Sequence, residues 1–328
     1  MHYQDAVYGT ATIDEPVLLA LMETAAVTRL QGVMQHGISA LVGITSPITR
    51  FEHSVGAMLL VRQLGADIEE QIAALLHDVS HTAFSHVIDY VFEGHDSQDF
   101  HEEAKEAYMK QTELPDLLAA FGFDWRHFIK EDYFPLLEQP APHLCADRLD
   151  YFLRDGLGLG LATRAEAADV LQHLVVEQNR IVCDDLSTAR WLAYTFIAAD
   201  KASWANFREV GLYELTARAI RRALQGGHLQ ERDFWGTDQA LWQMLQEAED
   251  TAVQEMLALV SEQTGFTWDE DNPTFWVSTK LRSIDPDVRS GSSNVAPLSQ
   301  LDHEFAIYRE AYHSERQGAW PMRVIPPV

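Results

Sequence analysis

The chain has 328 residues, enough for one large domain or for a catalytic domain with a smaller appendage. Hydrophobic residues make up 47% of it, but no stretch stays apolar for the roughly 20 residues that a membrane-spanning helix needs, so we expect no membrane partner. The formal net charge of -26 would repel a nucleic-acid backbone over most of the surface, which argues against a nucleic-acid coat but leaves small anionic substrates open.

The N-terminal residues and the cysteines predict a cytoplasmic protein without disulfides. The N-terminus MHYQDAVYGTATIDEP lacks the basic start and apolar core of a secretory signal. Cys145 and Cys183 stand outside any CxxC or other metal-like spacing, and we expect both to be small buried apolar residues.

The predicted elements are mainly helical. Asp5 to Ile13 alternates like a short strand or hairpin, and Asp14-Glu15-Pro16 then suits the start of a helix. Apolar residues recur at helical spacing in the segments 17–35, 54–64, 68–77, 100–110, 143–155, 166–176, 186–225 and 238–262. We expect the apolar stripe of 238–262 to be buried against the same chain rather than to form an interface.

After about Gly265 the composition changes. The segments TFWVSTKLRSIDPDV and WPMRVIPPV carry β-branched and aromatic residues with prolines, which predicts a few strands in a small C-terminal α+β extension, and SGSSNVAP between them predicts a loop. Lys280 and Arg282 fall on one of these predicted strands. We therefore predict a catalytic region over 1–225, including the N-terminal hairpin, and a C-terminal region over 226–328 that packs with it or forms a second domain.

Two imidazoles and two carboxylates suggest a metal site. His53 lies in RFEHSVG at the start of one helix, and His77-Asp78 ends the apolar helix IEEQIAALL. Asp147 lies in another amphipathic helix, within PHLCADRLDYFLRDG, for which Pro142 supplies a first-turn residue. A polar pair that ends an apolar helix costs desolvation energy unless it has a partner such as a metal, although Asp78 could instead cap the next turn. The set suits Fe, Mn, Ni or Zn and leaves positions for water and a phosphate oxygen.

More titratable residues follow the His-Asp pair. The segment HDVSHTAFSHVID adds His81, His86 and Asp89, and His101 lies in the next helical segment. So many titratable groups in a short stretch indicate acid and base catalysis, while a core role stays open for any one of them.

Four motifs in a fixed order resemble those of the HD-domain phosphohydrolases, and more narrowly the branch of deoxynucleoside triphosphate triphosphohydrolases. They are RFEHSVG (50–56), LLHDVSHTAFSH (75–86), HEEA (101–104) and ADRLDYFLRD (146–155). The resemblance runs from about Asp14 through Gly160 and implies an HD-domain helical bundle. It also implies that the metal ligands are His53, His77, Asp78 and Asp147.

The resemblance further implies catalytic roles. It places the family's mechanistic histidines at His81 and His86 and a supporting pair at Asp89 and His101. We expect His86 to be the general acid on the leaving oxygen, oriented by Asp89 and His101, and His81 to contact the phosphate. The metal would polarise the phosphoryl group and lower the pKa of the attacking water, and Mg²⁺ could accompany the substrate phosphates.

Matching positions also predict substrate contacts. They are Arg50 and Arg148 at the phosphates, Tyr151 and Asp155 at the sugar, and Gln35 at its 3′-hydroxyl. Guanidinium groups suit phosphate oxygens, but Arg50 could equally form a salt bridge with Glu52 or another carboxylate. The other contacts could be ordinary packing or capping, and for Arg154 we expect an i,i+4 bridge to Asp150.

The sequence also departs from that branch. His36 stands where the vertebrate triphosphohydrolase of this branch has a leucine against the sugar, which leaves selection for deoxyribose open. The family's arginine-rich segment is missing around residues 204–213, where Lys201 and Arg208 are the nearby candidate substitutes.

Three functions therefore remain. The leading hypothesis is a nucleotide phosphohydrolase that releases nucleoside and tripolyphosphate from a (deoxy)nucleoside triphosphate. A second is an HD-type phosphomonoesterase or alarmone hydrolase, and a third is a non-catalytic nucleotide-binding scaffold. Loss of a metal ligand would mark the third, and all four ligands are present. The expected partners are a small-molecule nucleotide and, as in related proteins, further copies of the chain.

Overall fold

Helices make up most of the computed structural model, which describes residues 1–92, 98–290 and 294–327. The α-helices are α1 (Pro16–Met22), α2 (Ala25–Thr28), α3 (Ile38–Leu41), α4 (Arg50–Gln63), α5 (Ile68–Leu76), α6 (Val87–Val91), α7 (Phe100–Met109), α8 (Leu114–Ala120), α9 (Ala146–Gly158), α10 (Arg164–Gln172), α11 (Leu186–Ala199), α12 (Phe207–Gln225), α13 (Asp238–Glu247), α14 (Thr251–Leu257), α15 (Leu298–Leu301) and α16 (His303–Arg316). Short 3₁₀ turns lie at Arg29–Gly32, Trp125–Phe128, Glu131–Tyr133 and Glu231–Trp235, and a π-helical turn at Asp200–Trp204 continues α11. The fold is mainly α, as predicted.

The described strands form three small sheets. The strands are β1 (His2–Asp5), β2 (Gly9–Thr12), β3 (Leu174–Glu177), β4 (Arg180–Cys183), β5 (Gly265–Trp268), β6 (Phe275–Val277), β7 (Asp287–Ser290), β8 (Asn294–Pro297) and β9 (Trp320–Ile325). β1 and β2 form the N-terminal hairpin, β3-β4-β7-β8 form a second sheet, and β5-β9-β6 form a third. All pairs are antiparallel except β4 with β7, which is parallel.

Helix α4 lies at the centre of the fold. Thr49 and Glu52 form a reciprocal capping box at its N-terminus, which fixes where the helix begins. Helices α5 and α9 pack on α4, and α9 approaches it at Gly56. A Cβ atom on Gly56 would lie 2.0 Å from both Asp150 Oδ1 and Arg154 Nη2. The close approach of these two helices therefore needs glycine at this position.

The C-terminal region folds back onto the rest of the chain. Strand β7 pairs with β4 between Val288 and Cys183, and the backbone N–H of Asp285 donates to the carbonyl oxygen of Pro142 at 2.9 Å. Ile284 is fully buried in the same hydrophobic cluster as helices α4, α5 and α9. These contacts cross the predicted boundary near residue 225, and the division into two domains stays a prediction.

Several predicted elements differ from the structure. The helix predicted over 166–176 ends at Gln172, and a hairpin follows because Gln178 and Asn179 both take positive φ (52° and 60°), the backbone of a two-residue hairpin turn. The helix predicted over 186–225 is interrupted before Asn206, whose side chain caps α12. Asp147 lies in a helix that begins at Ala146, so the proline at 142 is not in its first turn.

The prediction for the C-terminal region is correct only in outline. Strands and a long helix are present, but Lys280 and Arg282 lie in an irregular segment between β6 and β7, not on a strand. The segment SGSSNVAP, predicted as a loop, contains the last residue of β7 and all of β8, and its residues 291–293 lie outside the described part of the chain.

Burial agrees with two smaller predictions. Cys145 and Cys183 are fully buried, unpaired thiols. Leu241, Leu245 and Val253 bury the apolar stripe of 238–262 within the same chain. Among the described helices, none is long and apolar enough to cross a membrane.

Candidate active site

Three helices bring the four predicted metal ligands together. His53 lies in the first turn of α4, His77 and Asp78 follow the last residue of α5, and Asp147 lies in the first turn of α9. Residues far apart in the sequence therefore meet at one point because α4 packs between the other two helices.

The ligand atoms lie within a few ångströms of one another. His53 Nε2 is 3.0 Å from Asp147 Oδ1, 3.1 Å from His77 Nε2 and 3.7 Å from Asp78 Oδ2. His77 Nε2 is 3.5 Å from one carboxylate oxygen of each aspartate. The two histidines and Asp78 are buried, whereas 26% of the Asp147 side chain is exposed, so the cluster opens on the Asp147 side.

Hydrogen bonds on the far side of both rings fix which nitrogen carries the proton. His53 Nδ1 is 2.7 Å from Asp150 Oδ2, and His77 Nδ1 is 2.7 Å from the carbonyl oxygen of Ala74. Because both partners accept, each neutral ring carries its proton on Nδ1 and presents the lone pair of Nε2 to the other ring. Two lone pairs and two carboxylates at this distance need a shared cation, either protons or a metal ion. The donor set of two imidazoles and two carboxylates fits a divalent metal.

The pKa values of the cluster also favour a shared cation. Burial disfavours a charge on His53, but hydrogen bonds to Asp147 and Asp150 outweigh it and raise the pKa of the ring to about 10. Burial also opposes ionisation of Asp78, yet Arg50 and the neighbouring histidines hold the pKa of that carboxyl well below its usual range. In the protein alone these pairs would hold protons, which a divalent ion would displace on binding.

Asp150 is a functional residue that sequence reasoning missed. The predicted i,i+4 bridge between Asp150 and Arg154 is confirmed, at 2.8 Å. The same carboxylate also orients His53, and Arg154 reaches Asp5 on β1 at 3.1 Å. Carboxylates behind metal-bound histidines fix the ring and raise its basicity. The three-residue spacing from Asp147 on α9, which puts both aspartates on one helix face, was the available signal.

Beside this cluster lie the predicted catalytic histidines. His86 Nδ1 is 3.0 Å from Asp89 Oδ2, and within the described part of the chain its Nε2 makes no hydrogen bond; 21% of the side chain is exposed. His101 is 5.8 Å from His86 between ring centroids and stacks instead on His81, at 3.8 Å. His81 is buried and its Nε2 is 3.2 Å from Asp78 Oδ1. His81 therefore supports the His-Asp pair, and because it also lines the cavity described below, its expected contact with a phosphate stays a prediction.

The pKa values of these groups depart from their ordinary ranges. Burial, and then the charge of Arg50, lowers the pKa of His81 to about 3. Burial, Arg50 and Arg282 hold the pKa of His86 well below its usual range. Burial raises the pKa of Asp89 to about 6, although the N–H of Phe100 opposes this. Such shifts concentrate at catalytic sites.

A cavity of about 380 Å³ opens onto His77, Asp78 and Asp147, and His81, His86 and His101 line it. Its volume lies within the usual range for ligand sites. Arg50 lines the cavity and pairs with Asp78 at 2.8 Å, so its salt bridge is to a predicted metal ligand and not to Glu52. Arg148 lines it too, but donates to Glu138 and to the carbonyl oxygens of His143 and Gln139.

A second, smaller cavity of about 60 Å³ adjoins the first. Gln35, His36, Tyr151 and Trp204 line it, and Tyr151 also lines the larger cavity. Asp155 does not line either cavity. Its carboxylate is buried, accepts from Trp204 Nε1 at 2.7 Å and lies 2.9 Å from His36 Nε2. In this structure Asp155 contacts Trp204 and His36, which themselves line the smaller cavity, and its contact with a sugar stays a prediction.

Comparison with known proteins identifies the family of this chain. The HD-domain family model matches residues 50–155. The metal-dependent phosphohydrolase cns2 of Cordyceps militaris is 38% identical over 317 residues, which cover 94% of this chain and 91% of that protein. The uncharacterized protein YdhJ of Bacillus subtilis is 39% identical over 98% of each chain. The chain belongs to the HD-domain phosphohydrolase family.

More distant likenesses bear on the fold and the motifs. The deoxynucleoside triphosphate triphosphohydrolase SAMHD1 of Danio rerio is 33% identical over 105 residues, which cover 27% of this HD-domain enzyme and 17% of that protein. A solved structure of a hypothetical protein from Aquifex aeolicus superposes with a TM-score of 0.71 at 20% identity, covering 100% of this chain and 96% of that one. At that identity the likeness shows the fold alone.

The C-terminal region of this HD-domain phosphohydrolase supplies cavity residues that the sequence did not reveal. They are Lys280, Leu281, Arg282, Ser283, Arg309 and His313. The candidates Lys201 and Arg208 line neither of the two cavities, and Lys201 donates instead to the hydroxyl of Tyr308 at 3.1 Å. The motifs end near residue 155, and nothing in the sequence pattern of the tail indicates that it returns to the metal cluster.

Proposed function

We propose that this metal-dependent phosphohydrolase acts on nucleotides, and that it releases nucleoside and tripolyphosphate from a (deoxy)nucleoside triphosphate. The observation that carries the proposal is the convergence of His53 Nε2, His77 Nε2 and two carboxylates beside a cavity that His77, both aspartates and Arg50 line. Two likenesses support a triphosphate substrate: that of the HD motifs to the triphosphohydrolase branch, and that of the chain to the Danio rerio triphosphohydrolase.

In this proposal a divalent ion, Fe, Mn, Ni or Zn, is held by His53, His77, Asp78 and Asp147. When bound, it supplies charge to the phosphoryl group and acidity to a water molecule, and Mg²⁺ accompanies the other phosphates. Asp150 keeps the Nε2 lone pair of His53 directed at the cluster. The carboxylate of Asp147 is the most exposed of the four and faces the cavity.

His86 is proposed as the general acid for the leaving oxygen. Asp89 accepts from its Nδ1, which fixes the ring and leaves Nε2 for the proton that is transferred. His101 lies against His86 through ring packing, and His81 positions Asp78. The low pKa of His86 in the protein alone favours loss of its proton, and an arriving phosphate would offset the nearby cations and raise that pKa again.

Five further residues are proposed to form the substrate site. Four of them contact the substrate directly, namely Arg50, Arg148, Tyr151 and Gln35. Asp155 acts through its neighbours. Arg50 presents its guanidinium beside Asp78 at the metal cluster, where a phosphate oxygen would lie. Tyr151 and Gln35 line the small cavity beside it.

A nucleoside monophosphate or another phosphomonoester, including an alarmone, is the second candidate substrate. The small cavity of about 60 Å³ cannot hold a nucleoside, so the nucleoside would share the larger cavity with its phosphates. A single phosphate would need the least space there, which favours this candidate. A homo-oligomer, a cytoplasmic location and the two-domain division remain predictions from the sequence.

Product analysis separates the two candidates. The protein loaded with each metal in turn would be incubated with nucleoside mono-, di- and triphosphates, with and without Mg²⁺, and the products resolved by ion chromatography and ³¹P NMR. We expect tripolyphosphate and nucleoside from a triphosphate, and no turnover with His77→Ala or Asp147→Ala. Orthophosphate from a monophosphate would favour the second candidate. Absence of turnover with all metals and nucleotides would refute the proposal.

A further inference from the structure

The irregular segment 278–286, here called the C-terminal strap, forms one wall of the catalytic cavity. The backbone N–H of Arg282 donates to the buried carboxylate of Asp200 at 2.8 Å, and that of Asp285 donates to the carbonyl oxygen of Pro142 at 2.9 Å. The side chain of Ile284 is fully buried between these two anchors. The strap is thus fixed on both sides of its buried residue, by the π-helical turn that follows α11 and by the segment that precedes α9.

Helix α16 supports the strap from behind. Arg309 Nε donates to Ser283 Oγ at 3.0 Å, and the same hydroxyl lies 2.7 Å from His313 Nε2. The hydroxyl of Tyr312 donates to Asp200, which also anchors Arg282. This arrangement fixes the backbone of residues 282–283 and holds their side chains at the cavity.

The strap brings positive charge to the cavity. Burial, and then repulsion from Arg282, lowers the pKa of Lys280; Arg148 adds to this, whereas Glu102 opposes it. Lys280 and Arg282 also contribute to the low pKa of His86, which places their field at the proposed general acid. Like charges held together cost free energy unless an anion joins them.

The neighbouring carboxylates Glu138 and Glu131 pair with cations other than Arg282. Glu138 pairs with Arg148 at 3.0 Å, and Glu131 pairs with Lys105. Within the described residues, the acceptors of the Arg282 guanidinium are neutral: the amide oxygen of Gln98 and the carbonyl oxygen of Lys280. Arg282 lies where the two cavities meet and lines both of them, as do Arg50 and His86.

We propose that Lys280 and Arg282 of the C-terminal strap bind a second anionic group of the substrate, separate from the phosphoryl group at the metal cluster. This inference rests on the proposed function, because it names the part of the substrate that the far wall of the same cavity recognises. The substrate class it selects is a phosphoester with at least one further phosphate, as in a polyphosphate chain. A substrate with a single phosphate would bind at the metal cluster and would make no contact with Arg282.

A direct binding measurement tests the proposal and does not depend on turnover. The metal-loaded full chain would be titrated calorimetrically with inorganic tripolyphosphate and, separately, with orthophosphate. Arg282→Gln keeps a shorter side chain that can still donate a hydrogen bond but removes the charge, and Arg282→Lys restores the charge. Arg323→Gln is the matched control, because it removes an exposed charge of the same region on β9, where its partner is Asp269. Metal content and thermal unfolding report whether each variant folds.

We expect Arg282→Gln to weaken tripolyphosphate binding by roughly 10-fold or more, the scale of a hydrogen bond to a charged group, and orthophosphate binding by less than about 3-fold. Arg282→Lys should recover most of the loss, and Arg323→Gln should bind like the wild type. Equal losses for both anions, or unchanged tripolyphosphate binding in a folded Arg282→Gln, would overturn the proposal. Failure of the proposed function would look different: the wild type would turn over no nucleotide but would still bind tripolyphosphate more tightly than orthophosphate.

Discussion

Replacing Asp150 by asparagine probes the support of the metal cluster without touching a predicted ligand. One carboxylate oxygen accepts from His53 Nδ1 at 2.7 Å and from Arg154 Nε at 3.1 Å, and the other accepts from Arg154 Nη2 at 2.8 Å. An amide has only one accepting oxygen. If the oxygen faces Arg154, the amide N–H₂ faces His53 and moves the ring proton to Nε2, where it blocks the lone pair. If the oxygen faces His53, the N–H₂ opposes the guanidinium.

Either orientation should weaken metal binding by roughly 10- to 100-fold, the usual cost of losing a carboxylate behind a metal-bound histidine. That range corresponds to about 1.4–3 kcal/mol, similar to one charged hydrogen bond. Competition titrations with a metal chelator would measure it, with circular dichroism to establish folding.

Asp155→Asn is the matched control, since Asp155 is equally buried on α9 but contacts Trp204 and His36 instead of the cluster. A folded Asp150→Asn with wild-type metal affinity would refute the reasoning, as would an equal loss in Asp155→Asn.

Three further variants test other parts of the site. Gly56→Ala should destabilise the fold by about 1–3 kcal/mol in denaturant unfolding, because the new Cβ would lie 2.0 Å from Asp150 Oδ1; unchanged stability would contradict the packing argument. His86→Ala should retain its metal while kcat falls by roughly 10²-fold, the scale of a general acid, and unchanged turnover would remove it from that role. Burial disfavours a charge on His36, but Asp155 outweighs it and raises the pKa of His36 to about 10. The charged ring therefore stabilises the fold fully below about pH 6.5, and this stabilisation is lost as the pH rises toward 10. The stability advantage of the wild type over His36→Gln should therefore shrink by about 1–4 kcal/mol across that range, and a constant difference in thermal melts would contradict it.

Local signals in the sequence were sufficient for most of the helices. The Asp14-Glu15-Pro16 start, the apolar run 68–76 and the His-Asp pair that follows it all lie where the sequence predicts them. The hairpin at β3 and β4 was missed because Val175 and Val176 continue an apolar pattern that also fits a helix. Only the two positive-φ residues of the turn separate the alternatives.

The site was predictable where its residues lie within motifs and not where they depend on tertiary contacts. Spacing and residue type were enough to bring His53 and Asp147 into one hypothesis, and the structure places them 3.0 Å apart. Asp155 lies on the expected helix, but the partners that occupy its carboxylate come from other parts of the chain. Arg282 reaches the cavity only because Asp200 anchors the strap, a contact between residues 82 positions apart that no local pattern encodes.

The central claim is that four side chains from three helices bind one divalent cation. Crystals of the metal-loaded protein, with diffraction data collected at and below the absorption edge of the metal, test it most directly. The account predicts one anomalous peak in contact with the facing Nε2 atoms of His53 and His77 and with the carboxylates of Asp78 and Asp147. A peak elsewhere, or none in fully loaded crystals, would contradict the account.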